Sequence, residues 1–130
     1  MEYRAVRKSF SAGQPVLEDF TLSVASRETV ALLGPSGCGK TTALKLGNRL
    51  LDADAGEVRV NGRDVRDEDP VRLRRAIGYV IQDSGLFPHW DVRRNVETVP
   101  ALLGWSEARR RERSEELLTM VGLPPREFAS

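Results

Sequence analysis

With 130 residues, 40% of them hydrophobic and 30% charged, the chain is long enough for one folded domain and too short for two. Twenty Lys and Arg against nineteen Asp and Glu leave a net charge of +1, which excludes a protein held to nucleic acid mainly by charge. No apolar run approaches the roughly 18 residues that span a bilayer, residues 1–4 show no signal-peptide core, and the single Cys38 cannot close an internal disulfide, so the composition reads as cytosolic.

Along the chain, Phe20, Leu22 and Val24 alternate with Thr21 and Ser23, the period of a strand with one face on a core. Residues 29–33 are apolar almost without interruption and end at Gly34, which predicts a strand buried on both faces. From residue 39 to 51, Ala43, Leu44, Gly47, Leu50 and Leu51 fall at helical spacing. Gly47 weakens that helix by about 1 kcal/mol relative to Ala. Residues 52–56 are turn-rich, 57–60 form a short strand, and Asn61-Gly62 supplies the positive-φ pair of a tight turn. Pro70 starts a short helix to Arg75, and residues 77–81 predict a second apolar strand.

Residues 85–89 read as loop. Asp91 caps a helix carrying Val92, Val96 and Val99, which Pro100 should kink or end. Ser106 caps a last helix running to Val121, stopped by Gly122 and Pro124. The order predicts an α/β arrangement with an antiparallel portion near the N-terminus.

The chemistry concentrates in Gly34-Pro35-Ser36-Gly37-Cys38-Gly39-Lys40-Thr41, which meets every fixed position of the phosphate-loop pattern between a predicted strand and a predicted helix. A triphosphate is densely negative and needs many donors. Glycines let the backbone curl so that successive N–H groups point inward, and the helix adds the positive end of its dipole. Lys40 can reach the β- and γ-phosphates, the Thr41 hydroxyl can ligate Mg²⁺, and Thr42 can donate on the α- or β-phosphate side. Cys38 fills the loop as a small residue. These residues point to ATP with Mg²⁺.

The loop, extended by Thr42, resembles the Walker A segment of ATP-binding-cassette (ABC) transporter ATPases. Val6-Arg7-Lys8-Ser9-Phe10 resembles the family's N-terminal aromatic loop, which implies that Phe10 stacks on adenine; ordinary core packing is the alternative reading of that side chain. Gly56-Glu57-Val58-Arg59-Val60-Asn61-Gly62 resembles the hairpin after the first helix. Ile77-Gly78-Tyr79-Val80-Ile81-Gln82 resembles the strand entering the Q-loop, and Gly85-Leu86-Phe87-Pro88-His89 the stretch beyond it. His89, with no second histidine or acid cluster beside it, reads as a loop residue. With Thr98-Val99-Pro100-Ala101-Leu102-Leu103-Gly104-Trp105, these segments are similar to the ATPases of importers for glycine betaine, carnitine and choline. Gly47, where a larger apolar residue is expected, Asp83-Ser84 and Trp90-Asp91 depart from that pattern.

The resemblance implies a P-loop NTPase fold of ABC type: a partial RecA-like core with an antiparallel β portion over residues 1–90, and from 91 to 130 the start of a helical subdomain that stops before the signature motif. Lys40 and Gln82 are then the catalytic groups, and Thr41 and Gln82 the Mg²⁺ ligands. Phe10, Gly34, Pro35, Ser36, Gly37, Cys38, Gly39, Lys40, Thr41 and Thr42 hold ATP. The implied partners are transmembrane permease subunits and a second ATP-binding subunit, with no nucleic acid. The implied place is the cytoplasmic face of the cell membrane, reached through the permease alone. The run Arg109-Arg110-Arg111-Glu112-Arg113, with Glu107 and Arg111 as an i,i+4 pair, reads as a solvated helix face.

Residues 1–130 contain no Leu-Ser-Gly-Gly-Gln signature, no apolar strand ending in Asp then Glu, and no later switch histidine. The expectation is a fragment that binds nucleotide with weak or absent hydrolysis, and whose central sheet lacks strands and exposes apolar surface. A non-catalytic nucleotide-binding regulatory module and a P-loop small-molecule kinase are the competing readings, the second opposed by the Q-loop match.

Overall fold

A computed structural model describes residues 1–11, 14–82 and 85–123. Asp83, Ser84 and Pro124, which the sequence reading used, lie outside them. The chain divides into two compact units, Met1–Gly78 and Tyr79–Ser130.

The first unit is built on strands β1 (Glu2–Ser9), β2 (Pro15–Ser23), β3 (Ala55–Val60) and β4 (Arg63–Asp64), paired antiparallel in the order β2-β1-β3-β4. Tyr3 and Val6 both reach the core although they stand three residues apart, which strict alternation forbids. A bulge resolves this. Tyr3 faces Leu22 and Val6 faces Phe20, so β1 spends one residue more than β2, and Ala5 takes the positive φ of 46°. Asp19, at φ 49°, does the same for β2 and turns Leu17 and Phe20 to one side. At Gly56 a side chain is impossible, because an added Cβ would lie 2.3 Å from the Ala5 carbonyl oxygen. Asn61 and Gly62, at φ 52° and 80°, make the expected tight turn.

Helix α1 (Lys40–Gly47) packs on this sheet through Ala43, Leu46 and Gly47. Tyr3, Val6, Leu17, Val58, Val65 and Leu73 complete the core. Burying Val6 and Leu46, 0% and 1% exposed, is worth about 1.5–3 kcal/mol each. The Tyr3 hydroxyl donates to the Ala43 carbonyl at 3.0 Å, and its ring meets Phe20 edge-on at 5.3 Å. Burial pushes the Tyr3 phenol up to about 12. Gly47 owes its size to the same contact, since a Cβ there would lie 2.6 Å from the Tyr3 hydroxyl. Helix α2 (Pro70–Arg75) begins with Pro70 and is capped by Asp69, whose carboxylate accepts from Arg72 N–H.

The expected strands over residues 29–33 and 77–81 do not form. A strand exists only by hydrogen-bonding to a neighbour, and neither segment finds one among the described residues. Leu33 and Val80 are 90% and 95% exposed, so their apolar character is left facing solvent.

In the second unit α3 (Val92–Leu102) and α4 (Glu107–Met120) form a packed pair. Asp91 and Ser106 cap them as predicted, accepting from Arg94 and Arg109 N–H. Pro100 lies inside α3 and offers no N–H to the Val96 carbonyl, and the helix ends two residues later at Leu102. Gly122, at φ 76°, closes α4: its N–H reaches Thr119 O and that of Leu123 reaches Leu118 O. Ser114, fully buried, donates to Glu97 of α3 at 3.2 Å. Arg111 pairs with Glu115 at 3.1 Å rather than with Glu107.

Candidate functional site

The loop of residues 34–41 leaves the unpaired segment 29–33 and enters α1. Gly37 and Gly39 hold φ of 83° and 96°, in the left-handed region that side chains rarely adopt. Gly39 has a second reason to lack a side chain: a Cβ would lie 2.7 Å from Leu17 Cδ2 and 3.0 Å from the Val16 carbonyl oxygen. The loop is thereby pressed against β2 at the point where the helix starts.

Gly39 also serves as the N-cap, with no side-chain hydrogen bond and no acidic residue in the first turn. The first intrahelical bond runs from Ala43 N–H to Gly39 O at 2.8 Å. The N–H groups of Lys40, Thr41 and Thr42 therefore precede the helical ladder and present donors with the positive end of the dipole behind them. Lys40 folds back over the loop. Its ammonium donates to the carbonyls of Gly34 at 2.7 Å and Pro35 at 2.8 Å, and it lies 3.6 Å from Cys38 Sγ. Cys38 and Thr41 are exposed, whereas Thr42, in the first turn of α1, is buried. A site that concentrates backbone N–H groups, a dipole and one ammonium, with no carboxylate on the helix that faces it, suits a polyanion.

Phe10, just beyond β1 in the same unit, is 59% exposed, which removes it from the core and leaves its ring free for an aromatic contact. The Lys8 ammonium stands 5.8 Å from its ring centre. Gln82 is exposed and belongs to the second unit. His89 meets Trp90 edge-on, ring centres 5.6 Å apart, and Trp90 in turn lies 4.2 Å from Phe87. Asn95 latches that loop to α3, accepting from Phe87 N–H at 2.8 Å and donating to Phe87, Trp90 and Asp91 carbonyls.

Two supports of the first unit escaped the sequence reading. One is Tyr3, which seats the helix carrying Lys40 and Thr41. The other is Asp54, which takes Lys8 Nζ at 2.8 Å on one oxygen and Ser9 N–H at 2.7 Å on the other. The Lys8 hydrogen bond, with that of Ser9, holds the Asp54 carboxyl below its ordinary value. Asp54 lies 46 residues from Lys8, so no local pattern announces the pair.

The family model described as ABC transporter matches residues 17–129. Over 124 residues the chain is 46% identical to a carnitine transport ATP-binding protein, OpuCA, of Listeria monocytogenes, covering 95% of this chain and 31% of the relative. It is 49% identical over 118 residues to an osmoprotectant import ATP-binding protein, OsmV, of Salmonella typhimurium, covering 89% of this chain and 31% of the relative. It is 46% identical to a choline transport ATP-binding protein, OpuBA, of Bacillus subtilis, covering 92% of this chain and 32% of the relative. The chain thus spans about a third of the length of these relatives. Among solved structures, a dimeric ATP-binding cassette in a post-hydrolysis state bound to ADP and Pi is similar over 98% of this chain and 59% of that one. The TM-score is 0.81 at 30% identity. The expected partial cassette fold, a P-loop chain with an antiparallel N-terminal sheet plus helices, is therefore the fold present.

Proposed function

This chain belongs to the ABC transporter family, and we propose that it is the nucleotide-binding part of an importer ATPase, gripping ATP through residues 34–42 to drive uptake of a quaternary-amine osmoprotectant. One observation carries the nucleotide assignment. The Lys40 ammonium is held at 2.7–2.8 Å on the carbonyls of Gly34 and Pro35, and the helix that Lys40 begins has no side-chain cap. The relatives named for carnitine, choline and osmoprotectants support the choice of solute.

Binding proceeds from these groups. Loop and helix N–H donors take the phosphate oxygens, and the Lys40 ammonium trades the carbonyls of Gly34 and Pro35 for β- and γ-oxygens. Lys40 then stabilises the charge that builds on those oxygens as the γ-phosphoryl leaves. Phe10 stacks on the adenine, and Thr42 donates on the α- or β-phosphate side. Thr41, exposed at the start of α1, would hold Mg²⁺, which when bound would neutralise charge on the phosphates.

Neither an ammonium group nor an un-ionised hydroxyl can accept a proton from water at neutral pH. We therefore read residues 1–130 alone as binding ATP without turning it over. In the whole transporter, Gln82 links nucleotide state to a membrane-embedded permease at the cytoplasmic face, and a second ATP-binding subunit completes the ATPase.

Lys40→Ala tests the assignment. Losing one charge-assisted grip, worth about 1.5–3 kcal/mol, should weaken ATP at least tenfold in a titration. An unchanged Kd would sink the site. Uptake of labelled carnitine or choline under osmotic stress should vanish in the same variant. Uptake that persists would remove the transport role while leaving the nucleotide site standing.

A further inference from the structure

The end of β1, just before the exposed Phe10, is tied down by a residue 46 positions further along the chain. Asp54, just ahead of β3, uses both carboxylate oxygens on two consecutive residues of the neighbouring strand: Lys8 Nζ at 2.8 Å and Ser9 N–H at 2.7 Å. Its own N–H donates to Arg7 O at 2.9 Å, so the three residues before Phe10 are all held by residue 54. The Lys8 side chain is only 15% exposed, which keeps its ammonium in place, and from there it stands 5.8 Å from the centre of the Phe10 ring. An ammonium on one side of an aromatic ring is an attractive contact that leaves the opposite side for another flat group.

We propose that Asp54 is the positioning residue of the nucleobase contact, setting Phe10 through Lys8 and the Ser9 amide so that its free face receives the base. This rests on the reading of Phe10 as the base-stacking residue. Physically, a ring on a loose loop must lose its freedom when the base arrives, and that loss is subtracted from the stacking gain. A ring already held by two bonds to its preceding residues loses less. The role belongs to the base and not to the phosphates, since Asp54 touches none of residues 34–42 among the contacts described above.

The experiment compares Kd for ATP and for inorganic triphosphate, which has the phosphates without the base, across Phe10→Ala, Asp54→Asn, Lys8→Met and the Phe10→Ala/Asp54→Asn pair. Phe10→Ala should weaken ATP by roughly five- to a hundredfold, the range of one lost base–aromatic stack, and leave triphosphate unchanged. Asp54→Asn and Lys8→Met should each weaken ATP by a smaller factor, at least about threefold, again with triphosphate unchanged, and the double variant should be no weaker than Phe10→Ala alone. Asp54→Asn binding ATP normally while Phe10→Ala does not would overturn the proposal and spare the stacking reading. Additive losses, or equal loss of ATP and triphosphate in Asp54→Asn, would show a general structural role and overturn it as well. Normal ATP binding by Phe10→Ala would remove the stacking reading and the proposal with it.

Discussion

Replacing Gly47 by Ala should destabilise the protein, against helix propensity. In a helix interior that change is favourable by about 1 kcal/mol, and less at the last helical residue, where Gly47 stands. The new Cβ would lie 2.6 Å from the Tyr3 hydroxyl and 3.1 Å from Met1 Sδ. Met1 can yield, being a flexible thioether, but Tyr3 cannot. Its residue is 3% exposed, its ring lies against Phe20 and its hydroxyl is bonded to the Ala43 carbonyl. Relieving the clash means moving the hydroxyl off that carbonyl, at about 1–3 kcal/mol for a buried polar group left without a partner, with a similar range for overpacking. Against a propensity gain below about 1 kcal/mol, a net loss of roughly 2 kcal/mol follows. Urea unfolding of Gly47→Ala, Tyr3→Phe and the double variant measures it. Tyr3→Phe should cost about 1 kcal/mol, and Gly47→Ala in that background should be close to neutral, because the obstructing oxygen is gone. If Gly47→Ala stabilises the native protein, or costs the same in both backgrounds, the packing account of this glycine is wrong.

Gly39→Ala should lose both stability and ATP affinity. Its φ of 96° is strained for alanine, and the Cβ strikes Leu17 and Val16, so the loop must lift from β2. Normal unfolding and ATP-titration curves would contradict the geometry described for the loop. Tyr3 predicts a further loss at high pH. Its phenol is raised from 10.0 to about 12 on folding, so between those values the unfolded chain has released a proton that the native one keeps. The contribution is complete below pH 10 and disappears as pH rises through 12, on the order of 2 kcal/mol, and a Tyr3→Phe variant should not show it. Parallel pH profiles for the two proteins would refute the assignment.

Much of the local structure was legible because its causes are local. Asp91 and Ser106 accept from backbone N–H groups three residues on, a reach that sequence spacing contains. Asn61-Gly62 turns by its own φ preferences. The glycine-rich loop ahead of α1 belongs to the same class, since its left-handed residues Gly37 and Gly39 and the helix start that follows lie within one short stretch. Sequence and structure part where an element depends on a partner elsewhere. Residues 29–33 and 77–81 have strand composition, but pairing takes two strands, and hydrophobicity alone supplies no hydrogen bonds.

From the sequence alone came the polyanion chemistry, the helix starts and the family resemblance, all of which reside in contiguous side chains and backbone preferences. Only the tertiary structure decided why Gly47 is small, why Ala5 and Asp19 break the strand period, and that Asp54 holds the residues before Phe10. Those follow from contacts across tens of residues, where steric exclusion and charge pairing act through space and leave no trace in spacing along the chain.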